Sequence, residues 1–276
     1  MSGAGEFPFF DGRKPRIFGH RGAAGVAPEN TLVSCKRALE DGADFLELDV
    51  RKSADGELVI IHDATLERTT NDRGEVKGRL VGELKGLDAA YWFSLDGGRT
   101  HPYRGQQIGI PTVEDFFSVF SAVKAILEIK DADAAAIKKL MAIIRRFDRE
   151  KQVLLAAEDD GIMGEIRRQA GEEKLSIATG SSYGEVAAFM KGVWEGGGGS
   201  FTPPGQALQV PCLYEELTLV SAESVQAAHE VGREIHVWTI NEVGEMKRLI
   251  DLGVDGIVTD YPVRMKVLDE ENITAS

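Results

Sequence analysis

The chain has 276 residues, 43% of them hydrophobic, and a formal net charge of −13. There is enough apolar material for a sizeable core, and so negative a field opposes any role in coating nucleic acid. No apolar stretch approaches the ~20 residues that span a bilayer, and the first fifteen residues lack the basic segment and apolar run of a signal peptide, so a cytoplasmic protein without stable membrane association is expected.

Eight short apolar, partly β-branched runs follow one another along the chain. They are PRIFGH (15–20), ADFLELDV (43–50), KAILEIK (124–130), QVLLAAE (152–158), KLSIATG (174–180), ALQVP (207–211), REIHVWT (233–239) and DGIVTD (255–260). Near-continuous apolar character marks strands covered on both faces. Between them lie amphipathic stretches. In 134–147, Ile137, Leu140, Met141 and Ile144 recur at helical spacing, and 221–232 opens on Ser221 as an N-cap and stops at Gly232. Alternating strands and helices predict a parallel sheet, and eight such units predict a TIM-type (β/α)₈ barrel of the α/β class, for which about 250 residues is typical. The whole of 1–276 reads as one such domain, with its core over 15–265.

Two intervals break the rhythm. Residues 63–111 are too long for an ordinary βα loop, carry the turn signals NDRG and DGG, and hold Tyr91, Trp92 and Phe93. They read as a small insertion after the second strand unit that caps the barrel mouth, its aromatics packing it onto the barrel. EGGGGSFTPPG (195–205) reads as a flexible loop before the sixth strand, and LDEENITAS (268–276) as a solvated end. Cys35 and Cys212, without ligand spacing, read as buried thiols.

Chemistry concentrates at the ends of the strand runs. Glu47 and Asp49 in FLELDV are two apart, so they share a strand face. Two inward carboxylates repel each other unless a cation holds them: either a basic side chain such as Arg51, or a divalent metal, for which all-oxygen ligation favours Mg²⁺ or Ca²⁺ over zinc. Glu128 and Lys130 in LEIK are again two apart, as an internal ion pair or as a third metal ligand beside a phosphate-binding cation. Of five histidines, His20 ends the first run in FGHRG and His62 closes LVIIHD. Each alone could be an ordinary core or surface residue. Beside three carboxylates they favour proton transfer in phosphodiester cleavage, with Arg21 offering a planar fork to phosphate oxygens. His101 reads as a loop residue, His236 as a hydrogen-bonded interior residue, His229 as structural, and Asp260 as fixing a loop or capping a helix.

The runs HRGAAGVAPENT (20–31), ELDVRKSADGELVIIHDATLERTTN (47–71), LEIK (127–130), VWTIN (237–241) and DGIVTDYP (255–262) resemble the glycerophosphodiester phosphodiesterase family, over about residues 15–265. That resemblance implies metal-dependent hydrolysis of a small glycerophosphodiester to glycerol 3-phosphate and an alcohol. Glu47, Asp49 and Glu128 would hold one divalent cation, Mg²⁺ or Ca²⁺. His20 and His62 would be the acid–base pair, Arg21 and Lys130 would bind the phosphate, Asn30 would shape the substrate site and Trp238 would pack against glycerol. The glycerol 2-hydroxyl would attack phosphorus, and water would then open the cyclic phosphate. Two stretches depart from the family pattern: LAAEDDG (155–161), where a Ser-Phe pair is common, and 181–204. The other readings of the same residues are a phospholipase-like phosphodiesterase acting on lipids and a noncatalytic phosphodiester-binding barrel. Head-group preference and oligomeric state are open.

Overall fold

All eight apolar runs form strands, because each side of each strand finds a cover. The computed structural model describes residues 3–196, 201–266 and 268. In chain order the elements are β1 (Arg16–His20), α1 (Leu32–Glu40), β2 (Phe45–Lys52), β3 (Leu58–Ile60), α2 (Val81–Lys85), α3 (Val113–Val119), β4 (Lys124–Ile129), α4 (Ala134–Arg146), β5 (Val153–Ala156), α5 (Asp160–Glu172), β6 (Ala178–Thr179), α6 (Tyr183–Trp194), β7 (Ala207–Val210), β8 (Leu213–Tyr214), β9 (Leu217–Thr218), α7 (Ala222–Glu230), β10 (Glu234–Val237), α8 (Val243–Leu252) and β11 (Gly256–Thr259). Strands β6-β5-β4-β2-β1-β11-β10-β7 pair side by side, all parallel, and the bridge Gly180↔Ala207 joins β6 to β7 and closes the ring.

Alternation along the strands divides the core. Ile17, Leu46, Leu127, Leu155, Leu208 and Ile257 point outward under the helices, whereas Phe18, Phe45, Ile126, Leu154 and Val258 fill the barrel. The stripe Ile137, Leu140, Met141 and Ile144 of α4 is buried as its spacing predicts. Short polar side chains start the helices: Thr31, Asp133, Asp159 and Ser221 each accept from a backbone N–H of the first turn. Phe9 and Phe10 plug the bottom of the barrel, with Phe9 edge-on to Phe45 at 5.2 Å. Among the described residues, no helix is long and apolar enough to cross a membrane.

The extra segment is present. It begins with β3 antiparallel to β2, and builds a core of its own from Val59, Ile61, Leu66, Val76, Leu84 and Ile110. It borders the mouth rather than covering it: no residue of 63–111 lines the cavity there. Its aromatics make their ring contacts within the segment itself. Tyr91 lies edge-on to Trp92 at 4.8 Å, Arg104 stacks on Tyr91, and Trp92 is exposed. Cys212 is likewise not buried as expected but half-exposed, its thiol donating to Glu245, because β7 ends two residues before it. Residues 197–200 of the glycine-rich loop, and the acidic tail beyond Leu268, lie outside the described residues.

Candidate active site

The register of three neighbouring strands assembles the site. His20 on β1 stands opposite Glu47 on β2, and Asp49 opposite Glu128 on β4. Because side chains two apart share a face, these four point together into the mouth at the C-terminal ends of the strands. A cavity of about 500 Å³ opens there, lined also by Arg21, His62, Lys130 and Trp238.

Glu47, Asp49 and Glu128 each offer an oxygen, all within 4.8 Å of one another. Glu47 is pushed up to about 8 by burial and by the charges of Asp49 and Glu128, which His20 and Arg21 only partly offset. Burial acts on Asp49 in the same direction, yet Lys130, Arg21 and the Asn30 amide outweigh it and hold Asp49 below the usual carboxylate range. Lys130 Nζ lies 2.6 Å from Glu128 and 3.2 Å from Asp49, and Arg21 Nε lies 3.2 Å from Asp49. Positive charge therefore stands in the mouth of an acidic protein, where contact distances outweigh distant screened charges.

Each mouth histidine is held by its Nδ1. His20 Nδ1 lies 2.6 Å from Asp260 Oδ1, and its Nε2 is 3.9 Å from Glu47. His62 Nδ1 lies 2.7 Å from Asp63, which also accepts from Arg68. A carboxylate can only accept, so each Nδ1 carries a proton and each Nε2 remains for chemistry. Burial pulls the His20 pKa down, but the Asp260 hydrogen bond and the Glu47 charge win, and it is raised overall. Asp63 falls to about 2, chiefly through its bonds to Arg68 and His62 against partial burial.

The loop after β1 is built for this placement. Arg21 and Gly22 have φ of 50° and 86°, and a Cβ on Gly22 would stand 2.5 Å from Ser34 Oγ, so only glycine fits. Asn30 also sits in the left-handed region, which asparagine tolerates. It does not reach substrate space as expected. It is 4% exposed and absent from the cavity wall, its Nδ2 donating to Asp49 Oδ2 and its Oδ1 accepting from the Asp49 backbone. Its short amide reaches the adjacent strand and is consumed there, so Asn30 orients Asp49.

Asp260 bonds Asn241 across the loop, as a loop-fixing residue should, but it also anchors His20. Barrel closure brings this about, since β11 lies beside β1 with Gly19 opposite Thr259. Asp63 is outside the sequence expectations, and its one signal there is adjacency to His62. His236 is fully buried and bonded to Glu234, His229 bonds Asp255, and His101 bonds the Phe93 carbonyl, all away from the cavity.

The model of the glycerophosphoryl diester phosphodiesterase family matches residues 20–264. A glycerophosphodiester phosphodiesterase of Bacillus altitudinis is 30% identical over 93% of this chain and 98% of its own. Among solved structures, a glycerophosphodiester phosphodiesterase from Agrobacterium tumefaciens strain C58 is 26% identical, with a TM-score of 0.71 over 90% of this chain and 97% of that one. An Oleispira antarctica phosphodiesterase in complex with the product sn-glycerol-3-phosphate is 25% identical, with a TM-score of 0.72 over 93% and 97%.

Proposed function

The chain belongs to the glycerophosphoryl diester phosphodiesterase family and is a glycerophosphodiester phosphodiesterase, and we propose that it releases glycerol 3-phosphate using His20 and His62 as its acid–base pair and one divalent cation, Mg²⁺ or Ca²⁺. The observation that carries this reading is the convergence of three carboxylates, two cations and two Nδ1-anchored histidines on one cavity. The donor set fits the ion: it is all oxygen, suited to a hard cation, and Glu47, costly as an anion beside Asp49, is relieved by one. Bound by Glu47, Asp49 and Glu128, the cation would acidify a hydroxyl and neutralise charge on a nonbridging phosphate oxygen.

Arg21 and Lys130 bind the phosphate oxygens, and Trp238 packs against the glycerol. One histidine Nε2 takes the proton of the glycerol 2-hydroxyl as it attacks phosphorus, and the other gives a proton to the departing alkoxide. Water then opens the cyclic phosphate with the histidine roles exchanged. The substrate is a small molecule, as a cavity of about 500 Å³ suits.

The test is release of glycerol 3-phosphate from glycerophosphocholine and glycerophosphoethanolamine, with EDTA and after restoring Mg²⁺ or Ca²⁺. Release should stop with EDTA and return with metal. His20→Ala and Glu47→Ala should each lower kcat by roughly 10²–10⁴-fold with circular dichroism unchanged. Undiminished turnover in EDTA, or a near-native rate in His20→Ala, would sink the assignment.

A further inference from the structure

Behind the reacting groups, a chain of ion pairs joins two of them that come from different parts of the fold. Arg68 belongs to the extra segment. Two residues on, Thr70 donates both its backbone N–H and its hydroxyl to the Leu66 carbonyl, and Leu66 is fully buried in the segment's own core. Arg68 therefore stands on a closed turn that is itself anchored. Its guanidinium uses both forked edges. Nε and Nη2 donate to Asp63 at 2.6 and 3.1 Å, and Nη1 and Nη2 donate to Glu29 at 2.6 and 2.7 Å. Glu29 lies not in the segment but in the loop between β1 and α1.

Each of these carboxylates has a second partner in the mouth. Asp63 accepts from His62 Nδ1 at 2.7 Å, and Glu29 accepts from Arg21 Nη1 at 2.9 Å. The Glu29 side of the path is stiff as well, because the next residue, Asn30, donates its N–H to the Arg21 carbonyl. Burial alone would raise the pKa of Glu29, but the Arg68 bond and the charges of Arg21 and Arg68 hold it below the usual carboxylate range. A single exposed ion pair would contribute little. Two bidentate pairs on one planar cation do more, since they fix distance and angle together, which a point charge cannot.

We infer that Arg68 is a positioning residue that grips Glu29 and Asp63 together and so fixes Arg21, the phosphate-binding cation, relative to His62, the proton-transfer group. The inference rests on the phosphodiesterase reading above. Arg68 and Glu29 do not line the cavity, so both act through their partners. Without Arg68, the one cation left to Glu29 among the described residues is Arg21, and Glu29 then competes with phosphate for it. Asp63 loses its side-on brace at the same time, and His62 Nδ1 is held by an unanchored carboxylate. Binding and proton transfer should therefore suffer together.

The experiment is steady-state release of glycerol 3-phosphate from glycerophosphocholine, with metal, by the native chain, Arg68→Ala, Arg68→Lys, Glu29→Gln and Asp63→Asn, and by the last two combined with Arg68→Ala. Arg68→Ala should lower kcat/KM by roughly 10- to 100-fold, with KM raised and kcat lowered. Arg68→Lys should keep most of that loss although it keeps the charge, and it carries the same comparison if Arg68→Ala does not fold by circular dichroism. Glu29→Gln should act mainly on KM and Asp63→Asn mainly on kcat, and each should cost little further once Arg68 is gone. Near-native kcat/KM in Arg68→Lys overturns the inference and leaves the family reaction standing. So does a change confined to kcat or to KM in the Arg68 variants, or single effects that multiply in full in the double variants. Failure of the native chain to release glycerol 3-phosphate sinks the phosphodiesterase reading, and the role of Arg68 with it.

Discussion

At the scale of single residues, the site is a set of reactive groups each held by a second one. Asp260 holds His20, Asp63 holds His62, and Asn30 holds Asp49. Replacing Asp260 by Asn keeps its volume but removes the charge and allows an amide to face Nδ1, which permits the wrong tautomer. Asp260→Asn should lower kcat by roughly 10- to 10⁴-fold with KM little changed. Steady-state kinetics check this, and an unchanged kcat would reduce the 2.6 Å contact to packing. The groups legible in the sequence were those related by the pleat of one strand, Glu47 with Asp49 and Glu128 with Lys130, since a period of two needs no tertiary knowledge. The anchoring role of Asp260 is not legible there, because its partner is 240 residues away and meets it only when the ring closes.

At the scale of elements, two segments take opposite parts. The extra segment positions His62: β3 pairs with β2, Arg51 Nε donates to the His62 carbonyl at 2.6 Å, and a separate small core stabilises the turn that follows. Leu84 is fully buried in that core and far from the chemistry in the chain. Leu84→Ala should cost about 2–5 kcal/mol locally. Activity should then be lost on heating before the barrel melts, read as residual turnover against circular dichroism. Coincident loss would mean that segment and barrel unfold as one unit. Helix α6 is the converse. Its apolar residues lie on several sides, Phe189 buried in the core while Tyr183 and Trp194 face the opening, so its pattern alone could not say which side met water.

At the scale of the whole molecule, the end of the barrel away from the site supplies stability. Glu234 is buried there among Arg16 at 2.7 Å, His236 at 3.0 Å and Lys14 at 3.0 Å. Burial alone would raise its pKa, but the His236 bond and these neighbouring charges bring it from the ordinary 4.5 to about 2. The unfolded chain therefore takes up this proton first as pH falls. The contribution, on the order of 3 kcal/mol, is complete above about pH 4.5 and is lost as pH drops through about 2. Urea unfolding at stepped pH should show that loss in the native chain and not in Glu234→Gln, which should be less stable at pH 7 by a comparable amount. Equal acid sensitivity in both would place the titration elsewhere.

The fold class, the eight strands and the convergence of Glu47, Asp49, Glu128, His20 and His62 were readable along the chain, because hydrophobic period and strand pleat are local properties. The anchoring of His20, the withdrawal of Asn30 behind Asp49, and the face of α6 that meets the opening were not. Each depends on which strands become neighbours and which helix face turns toward the mouth, and those are set by closure of the ring, not by any stretch of chain.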